Sequence, residues 1–251
     1  TALRRQRQMC IRDRYTGIFA NANVGTNKTV TITPTYSGAD VGNYSVTDQS
    51  TATGNIVAKT LTATASAANK TYDGTTTATT TLTFTGLVGS ETLGQTVGST
   101  FDNKNVGTGK SVTVNSITLA NGSNGGLAAN YSISPGQTTT ANVTAKALSA
   151  LALTANKVYD STTVANTTLT LSGLIGSETL NVTNNSTFDN KNVGSGKTIT
   201  VNSITLADGT NGGLAANYSI ATSQTTTATI TSKSLIVSGI TASNKSYDTT
   251  T

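Results

Sequence analysis

An internal repeat of 87 residues constrains this chain more than any other feature of its sequence. Residues 101–107 recur without change at 188–194, and residues 125–133 recur at 212–220. Solenoid repeats usually run about 20–50 residues, whereas about 87 residues can close a small core of their own. The period therefore predicts a tandem array of independently folding modules.

The same period sets the module boundaries. Residues 19–30 resemble residues 101–112, so an earlier, partial copy precedes the complete ones. We predict the C-terminal part of a module at 15–60, complete modules at 61–147 and 148–234, and the start of a further module at 235–251. Both ends look cut, which indicates a fragment of a longer array.

Residues 1–14 share nothing with the repeat. They hold all five arginines, the only methionine and the only cysteine of the chain. The string from Met9 to Arg14 looks like the translated end of a sequencing adapter, so we predict that residues 1–14 are a non-native scar and dispensable. A nucleic-acid-binding protein carries its basic residues on a folded face; here they cluster in this terminus, so we expect no nucleic-acid partner.

The patterning of apolar residues predicts an all-β fold. Threonine, which suits half-exposed strands, supplies 55 of the 251 residues, and residues 81–85 and 168–171 alternate polar with apolar. A slip of this alternation at Asn115-Ser116 predicts a β-bulge. We predict antiparallel β-sandwich modules, Ig-like or β-grasp-like, each with roughly six to eight short strands and together forming an elongated rod.

The composition argues against catalysis. Histidine is absent and cysteine occurs once, which excludes a Ser-His-Asp or Cys-His arrangement and a zinc site built from these residues. A carboxylate pair for glycoside hydrolysis drawn from Asp73, Asp102 and Glu91 would recur in every module and lacks aromatic sugar platforms. We therefore predict no enzyme, no catalytic residue, no cofactor and no metal. No apolar run is long enough to cross a membrane, so we expect no membrane insertion.

Three motifs in a fixed order resemble the YDG repeat family. They are the opening Lys70-Thr71-Tyr72-Asp73-Gly74, the block Phe-Asp-Asn-Lys-Asn-Val-Gly and the ending Ala-Ala-Asn-Tyr-Ser, and the resemblance covers residues 15–251. Such repeats occur in large bacterial adhesins, including filamentous-haemagglutinin-like exoproteins. The resemblance implies a stalk-like role at the cell surface. Ser161 and Thr249 replace the glycine of the opening in later copies, which argues against a positive φ at this position.

The residues of these motifs are predicted to build the modules. The predicted structural residues are Lys70, Tyr72, Asp73, Gly74, Phe101, Asp102, Asn130, Tyr131, Lys157, Tyr159, Asp160, Phe188, Asp189, Asn217, Tyr218, Tyr247 and Asp248. The repeated tyrosines at 72, 159 and 247, and those at 44, 131 and 218, are predicted to be core anchors with locally bonded hydroxyls rather than platforms for a ligand.

Three other hypotheses come from single motifs. Residues 102–105 are a weak calcium pattern, because Lys104 stands where an oxygen ligand is needed, and a polar loop that holds its own backbone is favoured. The pairing of Lys70 with Asp73, or of Lys104 with Glu91, raises the hypothesis of a Lys–Asn isopeptide crosslink, which the sequence alone does not support by placing these side chains together. The Thr-x-Thr stretches are interpreted as exposed strand faces that discourage aggregation rather than as ice- or crystal-binding arrays.

The function that the resemblance implies is a structural stalk of a secreted bacterial surface adhesin, expected on a Gram-negative outer surface. The array is expected to be monomeric and to project an adhesive region, and any host glycan or protein is expected to bind elsewhere in the full protein. The alternative is direct, weak and multivalent binding by the repeats themselves. A differing loop, residues 94–99 against 181–185, is the feature proposed to separate the two.

Overall fold

The computed structural model describes residues 12–39 and 41–251 and is all-β, with about 55% strand and no α-helix in these ranges. The all-β prediction and the tandem modules are confirmed; the Ig-like or β-grasp-like topology stays a prediction. No described helix is long and apolar enough to span a membrane.

Twenty strands are described, most of them short. In chain order they are β1 (Arg12–Phe19), β2 (Gly25–Ser37), β3 (Thr51–Ile56), β4 (Lys59–Thr60), β5 (Thr62–Ala67), β6 (Lys70–Thr71), β7 (Thr77–Ala78), β8 (Thr80–Thr85), β9 (Leu93–Phe101), β10 (Gly107–Asn121), β11 (Tyr131–Ser132), β12 (Thr138–Thr144), β13 (Lys146–Thr154), β14 (Lys157–Val158), β15 (Val164–Ala165), β16 (Thr167–Ser172), β17 (Leu180–Phe188), β18 (Gly194–Asp208), β19 (Tyr218–Ile220) and β20 (Gln224–Thr231). Single 3-10 turns lie at Val41–Asn43, Ala128–Asn130 and Ala215–Asn217.

The strands form two compact units whose limits are offset from the sequence repeats. Unit 1 comprises the described residues up to Ala68 together with Thr76–Asp102 and Gly109–Ala141. Unit 2 comprises Asn69–Thr75, Asn103–Thr108 and Asn142–Thr251. The opening motif at 70–74 and most of the block at 101–107 therefore belong to unit 2, although the sequence assigns them to the repeat at 61–147.

Unit 1 is built mainly from antiparallel strands around a small core, with one short parallel pair between β4 and β11. Its sheets have the orders β1-β2-β3 and β12-β10-β9-β7, and β5 pairs with β8. β1 begins at Arg12, so the last three residues of the predicted scar pair with β2; residues 1–11 lie outside the described residues. The buried apolar residues are Leu61, Ala78, Leu82, Phe101, Val112, Val114, Tyr131 and Ala141.

Unit 2 repeats this plan. Its sheets have the orders β14-β20-β18-β17-β15 and β16-β13-β19, and β6 pairs in parallel with Val143 and Thr144 of β12. The main apolar cluster consists of Ala165, Phe188, Ile199, Ala228 and Ile230, with Tyr159 packed against it. Tyr72, Val143, Leu148, Leu169, Val201 and Tyr218 are also buried in this unit.

The predicted bulge is present in both copies. In unit 1, Val114 pairs with Ser99 and Ser116 with Gly98, which leaves Asn115 without a partner in the register. Asn202 takes the same place in unit 2. The side-chain amide of Asn115 donates to Thr100 Oγ1 at 3.0 Å, and Asn202 repeats this bond, so the extra residue is fixed by its own side chain.

The segments proposed as a differing loop are strands. Residues 94–99 lie in β9 and residues 181–185 in β17, so the loop prediction was wrong. The side chain of Gln95 bonds both backbone groups of Leu82, while Asn184 donates to the carbonyl of Thr167. The differing side chains thus satisfy backbone groups of their own unit, and they do not separate a binding role from a structural one.

The expectation against positive φ in the opening motif was also wrong. Gly74, Ser161 and Thr249 have φ values of 78°, 67° and 65°. The preceding aspartate explains this: in each copy its Oδ1 accepts the backbone N–H two residues ahead, as Asp73 does from Thr75 at 2.9 Å. Such a turn closes over a left-handed residue, whatever side chain that residue carries.

Replacing Ser161 by glycine should therefore stabilise unit 2. A left-handed conformation costs a non-glycine residue roughly 1–2 kcal/mol, and the greater freedom of glycine in the unfolded chain offsets part of the gain. We expect a net gain of up to about 1 kcal/mol in the free energy of unfolding, measured by urea denaturation. The converse change, Gly74→Ser, should destabilise the protein; a loss after Ser161→Gly would contradict the assignment of strain.

Candidate functional site

The most connected side-chain cluster is centred on the Glu178 carboxylate in unit 2. Its Oε1 accepts the hydroxyl of Tyr72 at 2.7 Å, and its Oε2 accepts the hydroxyl of Tyr218 at 2.6 Å. Lys104 Nζ lies 3.1 Å from Oε1. Two neutral donors and one cation thus surround one buried carboxylate.

Tyr72 is the residue that this cluster encloses most fully. Its side chain is 1% exposed, and its ring meets that of Tyr218 edge to face with centroids 5.4 Å apart. Its backbone N–H donates to Thr144 O at 2.8 Å. A Cβ at Gly74, two residues on, would lie 2.8 Å from Ile175 Cγ2, so glycine permits the close approach of this turn.

A second contact holds the neighbouring loop 103–108 in unit 2. Asn217, which is fully buried, accepts the backbone N–H of Val106 through Oδ1 at 2.9 Å. Its Nδ2 donates to Asn105 Oδ1 at 3.1 Å. Unit 1 holds the same contact, in which Asn130 bonds Val24 and Asn23. In both units, the asparagine of the ending motif therefore hydrogen-bonds to the Asn-Val pair of the preceding block.

The lysine and aspartate of the opening motif pair with each other in every copy. The separations from Nζ to Oδ1 are 2.8 Å for Lys70–Asp73, 2.9 Å for Lys157–Asp160 and 2.9 Å for Lys245–Asp248. Hydrogen bonds from Lys157 and Thr162 lower the pKa of Asp160 to about 2. These exposed pairs fix the turn and contribute little to global stability.

The aspartates of the Phe-Asp-Asn-Lys block also face lysines. Lys110 Nζ lies 2.8 Å from Asp102 Oδ1, and Lys197 Nζ lies 3.0 Å from Asp189 Oδ1. The preceding phenylalanines, Phe101 and Phe188, are buried. Within the described ranges no three His, Cys, Asp or Glu side chains gather as a metal site would require. An ammonium group thus occupies the place beside each aspartate where a calcium ion was considered.

Lys104 pairs with a different glutamate from the one expected. The sequence hypothesis paired it with Glu91, whereas the structure pairs it with Glu178 in unit 2. Glu91 instead accepts the hydroxyl of Tyr131 in unit 1. Residue 22 is alanine at the position that corresponds to Lys104 in the earlier copy, so the carboxylate of unit 1 lacks the corresponding lysine.

The repeated tyrosines divide into buried and exposed groups. Those at 72, 131 and 218 are buried as predicted, and Tyr159 is half-buried. Tyr44 and Tyr247 are 49% and 93% exposed, so their core prediction was wrong. The hydroxyl of Tyr72 bonds a residue 106 positions away, which also contradicts the prediction of a local bond.

The electrostatics of the Glu178 cluster hold each group in one protonation state near neutral pH. Burial raises the pKa of Glu178, but the hydrogen bonds from Tyr218, Tyr72 and Lys104 outweigh it and leave the pKa below its ordinary value. Burial and the bond to Glu178 raise the pKa of Tyr218 to about 12. Because a general acid or base works best with a pKa near the operating pH, the cluster is suited to holding structure rather than to proton transfer.

Stability should depend on pH through this cluster. Because the folded pKa of Glu178 lies below the ordinary value of 4.5, its contribution is present above that pH and is lost as the pH falls through the folded pKa. Tyr218 has the opposite sign: its contribution is lost as the pH rises from 10 to about 12. Urea unfolding should therefore show the difference in stability between wild type and Glu178→Gln shrinking as the pH falls below the ordinary glutamate pKa of 4.5. A constant difference would contradict an ionised, hydrogen-bonded Glu178.

Sequence reasoning missed Glu178 and Lys104 as partners of the tyrosines, although one signal was available. Glu91 and Glu178 are the only glutamates of the chain, and they lie 87 residues apart. A rare residue type that keeps the repeat period in a threonine-rich chain marks a position that needs a carboxylate.

Comparison with known proteins agrees with the repeat pattern. The YDG domain matches residues 9–53, 57–141 and 144–228. The first match begins inside the segment predicted to be a scar. Neither the curated proteins nor the solved structures that were compared contain a match. Three tandem matches that cover most of the sequence show that this chain belongs to the YDG domain family.

Proposed function

We propose that this chain is part of the stalk of a secreted bacterial surface adhesin, in which YDG repeats hold an adhesive region away from the cell. The observation that carries the proposal is that unit 2 contains segments of two successive sequence repeats. Segments 69–75 and 103–108, which belong to one sequence repeat, are built into a compact unit with residues 142–251. Repeats that share segments of one compact unit resist bending better than repeats joined by a flexible linker.

The chain between the repeats supports the same proposal. β12 ends at Thr144 and β13 begins at Lys146, so Ala145 alone separates the two strands. A flexible linker needs several glycine or serine residues, and none lies at positions 144–148. A stalk makes and breaks no covalent bonds. This role agrees with a Glu178 cluster whose groups each keep one protonation state near neutral pH.

Small-angle scattering tests the proposal. Modules of this size span roughly 30–40 Å, so we expect a rod-like profile with a maximum dimension of about 100 Å. A matched Glu178→Ala variant, which removes the acceptor of Tyr72 and Lys104, should give a more flexible profile with unchanged strand content. A wild-type particle of about half that length would contradict the stalk and favour a compact binding head.

Direct binding of a host glycan or protein is the second candidate. An open cavity of about 500 Å³ in unit 1 is lined by Tyr15, Tyr36, Asp48 and Gln49, among others, and aromatic rings beside polar side chains suit a carbohydrate. Glycan-array binding that disappears after Tyr36→Ala would support this role. Absence of binding by the wild-type chain would leave the stalk as the proposed function.

A further inference from the structure

Four short strand pairs among the described residues are parallel, and each joins a segment near the start of a repeat to a segment near its end. In the first complete repeat, β4 pairs with β11 and β6 pairs with β12. In the second, β13 pairs with β19 and β14 pairs with β20. The first and last strands of each repeat therefore run side by side in the same direction.

Backbone hydrogen bonds extend these pairs by one residue. The backbone N–H of Leu61, which follows β4, donates to Ser132 O at 2.8 Å. The backbone N–H of Tyr72, which follows β6, donates to Thr144 O at 2.8 Å, and Tyr159 makes the corresponding bond in the second repeat. Leu61 and Tyr72 are buried, so water does not replace either bond until the strand itself has moved.

Tension along the chain loads the parallel pairs in shear. It draws the early segment of a repeat towards the N-terminus and the late segment towards the C-terminus. Because the paired strands point the same way, the two segments are pulled past each other along their length. The hydrogen bonds run across the strands, so sliding loads them together, whereas strands that are peeled apart lose their bonds one at a time.

The chain between the two complete repeats passes this load on without slack. Thr144 at the end of β12 pairs with Thr71, and Lys146 at the start of β13 pairs with Tyr218. Ala145 alone lies between these two registers. The last strand of one repeat therefore leads directly into the first strand of the next, and a parallel partner holds each of them.

We propose that the parallel pairs are the force-bearing elements of the repeats, and that a repeat pulled through its ends unfolds only when such a pair slides. The barrier under tension then lies in the pair β4–β11 of unit 1 and the pair β13–β19 of unit 2, not in the apolar cores. Forced unfolding is governed by the rate of crossing this barrier, and contacts still intact at the barrier contribute little to that rate. The inference rests on the proposed stalk function, because a stalk transmits the pull of whatever its adhesive region holds.

Ser132→Pro weakens the parallel pair of unit 1. Ser132 is exposed, and its carbonyl faces β4, where it accepts the N–H of Leu61. Its own N–H faces the same strand, because both backbone groups of a strand residue point to one neighbour, and proline removes this donor. Tyr131 has φ −129° and ψ 155°, the extended conformation that a residue before proline prefers, so the buried ring keeps its place.

Two further variants complete the comparison in unit 1. Thr60→Val is the milder change in the same pair, because it removes only the hydroxyl that lies 3.3 Å from that of Ser132. Leu82→Ala is the control: Leu82 is buried in β8, which pairs with β5 in the antiparallel sense. Its truncation lowers equilibrium stability more than the loss of one hydrogen bond does, but it leaves the parallel pair intact.

Single-molecule force spectroscopy of the full chain, held by its two ends at constant force, tests the proposal. We expect Ser132→Pro to raise the rate of one unfolding step about tenfold and Thr60→Val to raise the rate of the same step about twofold. Leu82→Ala should leave the rate of that step unchanged, although urea unfolding ranks it as the least stable of the three. Ser219→Pro makes the same change in β19 of unit 2 and should raise the rate of a different step, with Leu169→Ala as its control.

Two results would overturn the proposal. One is a rate that none of the substitutions in the parallel pairs changes, with circular dichroism showing that the variants are folded. The other is a rate that Leu82→Ala raises as much as Ser132→Pro does. Either result is compatible with a rod-like scattering profile, so failure of this inference is distinguishable from failure of the stalk.

Discussion

Replacing Tyr72 by alanine should lower the free energy of unfolding by about 3–5 kcal/mol, the range found for large aromatic side chains removed from cores. Tyr72 is 1% exposed, and its ring packs against Tyr218. Truncation leaves a cavity between Tyr218 and Lys104 and removes one of the donors to Glu178. Since Tyr72 lies in unit 2, unit 2 should unfold first in the variant.

Two further variants divide this loss between packing and hydrogen bonding. Tyr72→Phe keeps the ring and removes only the hydroxyl, which donates to the ionised Glu178 carboxylate, so it should cost about 1.5–3 kcal/mol. Tyr247→Ala makes the same truncation in the exposed copy of the turn and should leave the stability of a monomer within about 0.5 kcal/mol of wild type.

Urea unfolding followed by far-ultraviolet circular dichroism measures these differences. The chain has no tryptophan, so tyrosine emission is the fluorescence signal that can accompany it. The two units need not unfold together, and each transition should be fitted separately. An unchanged midpoint for Tyr72→Ala in every transition would revive the hypothesis that this tyrosine is a platform for a ligand.

The strands and the bulges could be predicted because they depend on local alternation. Period-2 patterning at residues 81–85 lies within β8, and the parity slip at Asn115 marks the bulge. The φ of residue 74 could not be predicted from residue type alone, because the Asp73 side chain imposes the turn. In the other copies a non-glycine residue adopts the same left-handed conformation despite its conformational cost.

The side chains that bond to the repeated motifs could not be predicted, because the copies of each motif are alike in sequence. Lys104 lies 13 residues from Glu91 and 74 from Glu178, and both glutamates stand in the same Gly-Ser-Glu-Thr-Leu context. A repeat pattern shows which residue types meet without showing which copy supplies each one. Only the fold decides this, and it assigns the longer separation.

For the same reason, equal motifs have unequal surroundings. Tyr72 and Tyr247 lie in the same kind of turn, but the hydroxyl of Tyr72 bonds Glu178, whereas Tyr247 is exposed. Burial of these tyrosines depends on a distant acceptor, which their own flanking sequence does not contain. Core assignment from the motif alone was therefore right for Tyr72 and wrong for Tyr247.

The two glutamates give the second large expected effect, and comparison between them isolates the contribution of the incoming turn. Glu178→Ala removes the acceptor of two buried tyrosine hydroxyls, and each buried donor left unsatisfied costs about 1–3 kcal/mol. Lys104 is 37% exposed, so the loss of its ion pair adds little. We expect Glu178→Ala to lower the free energy of unfolding by about 3–5 kcal/mol.

Glu91→Ala is the matched change in unit 1, where Tyr131 alone donates to the carboxylate among the described residues. It should cost about 1–3 kcal/mol, the penalty for a single buried donor. Glu178→Gln keeps the shape and one acceptor oxygen but removes the charge, so its loss should fall between the two. Denaturant midpoints and slopes for the three variants at neutral pH give the comparison. Equal losses for Glu178→Ala and Glu91→Ala would mean that the contacts of Tyr72 and Lys104 with Glu178 contribute no stability.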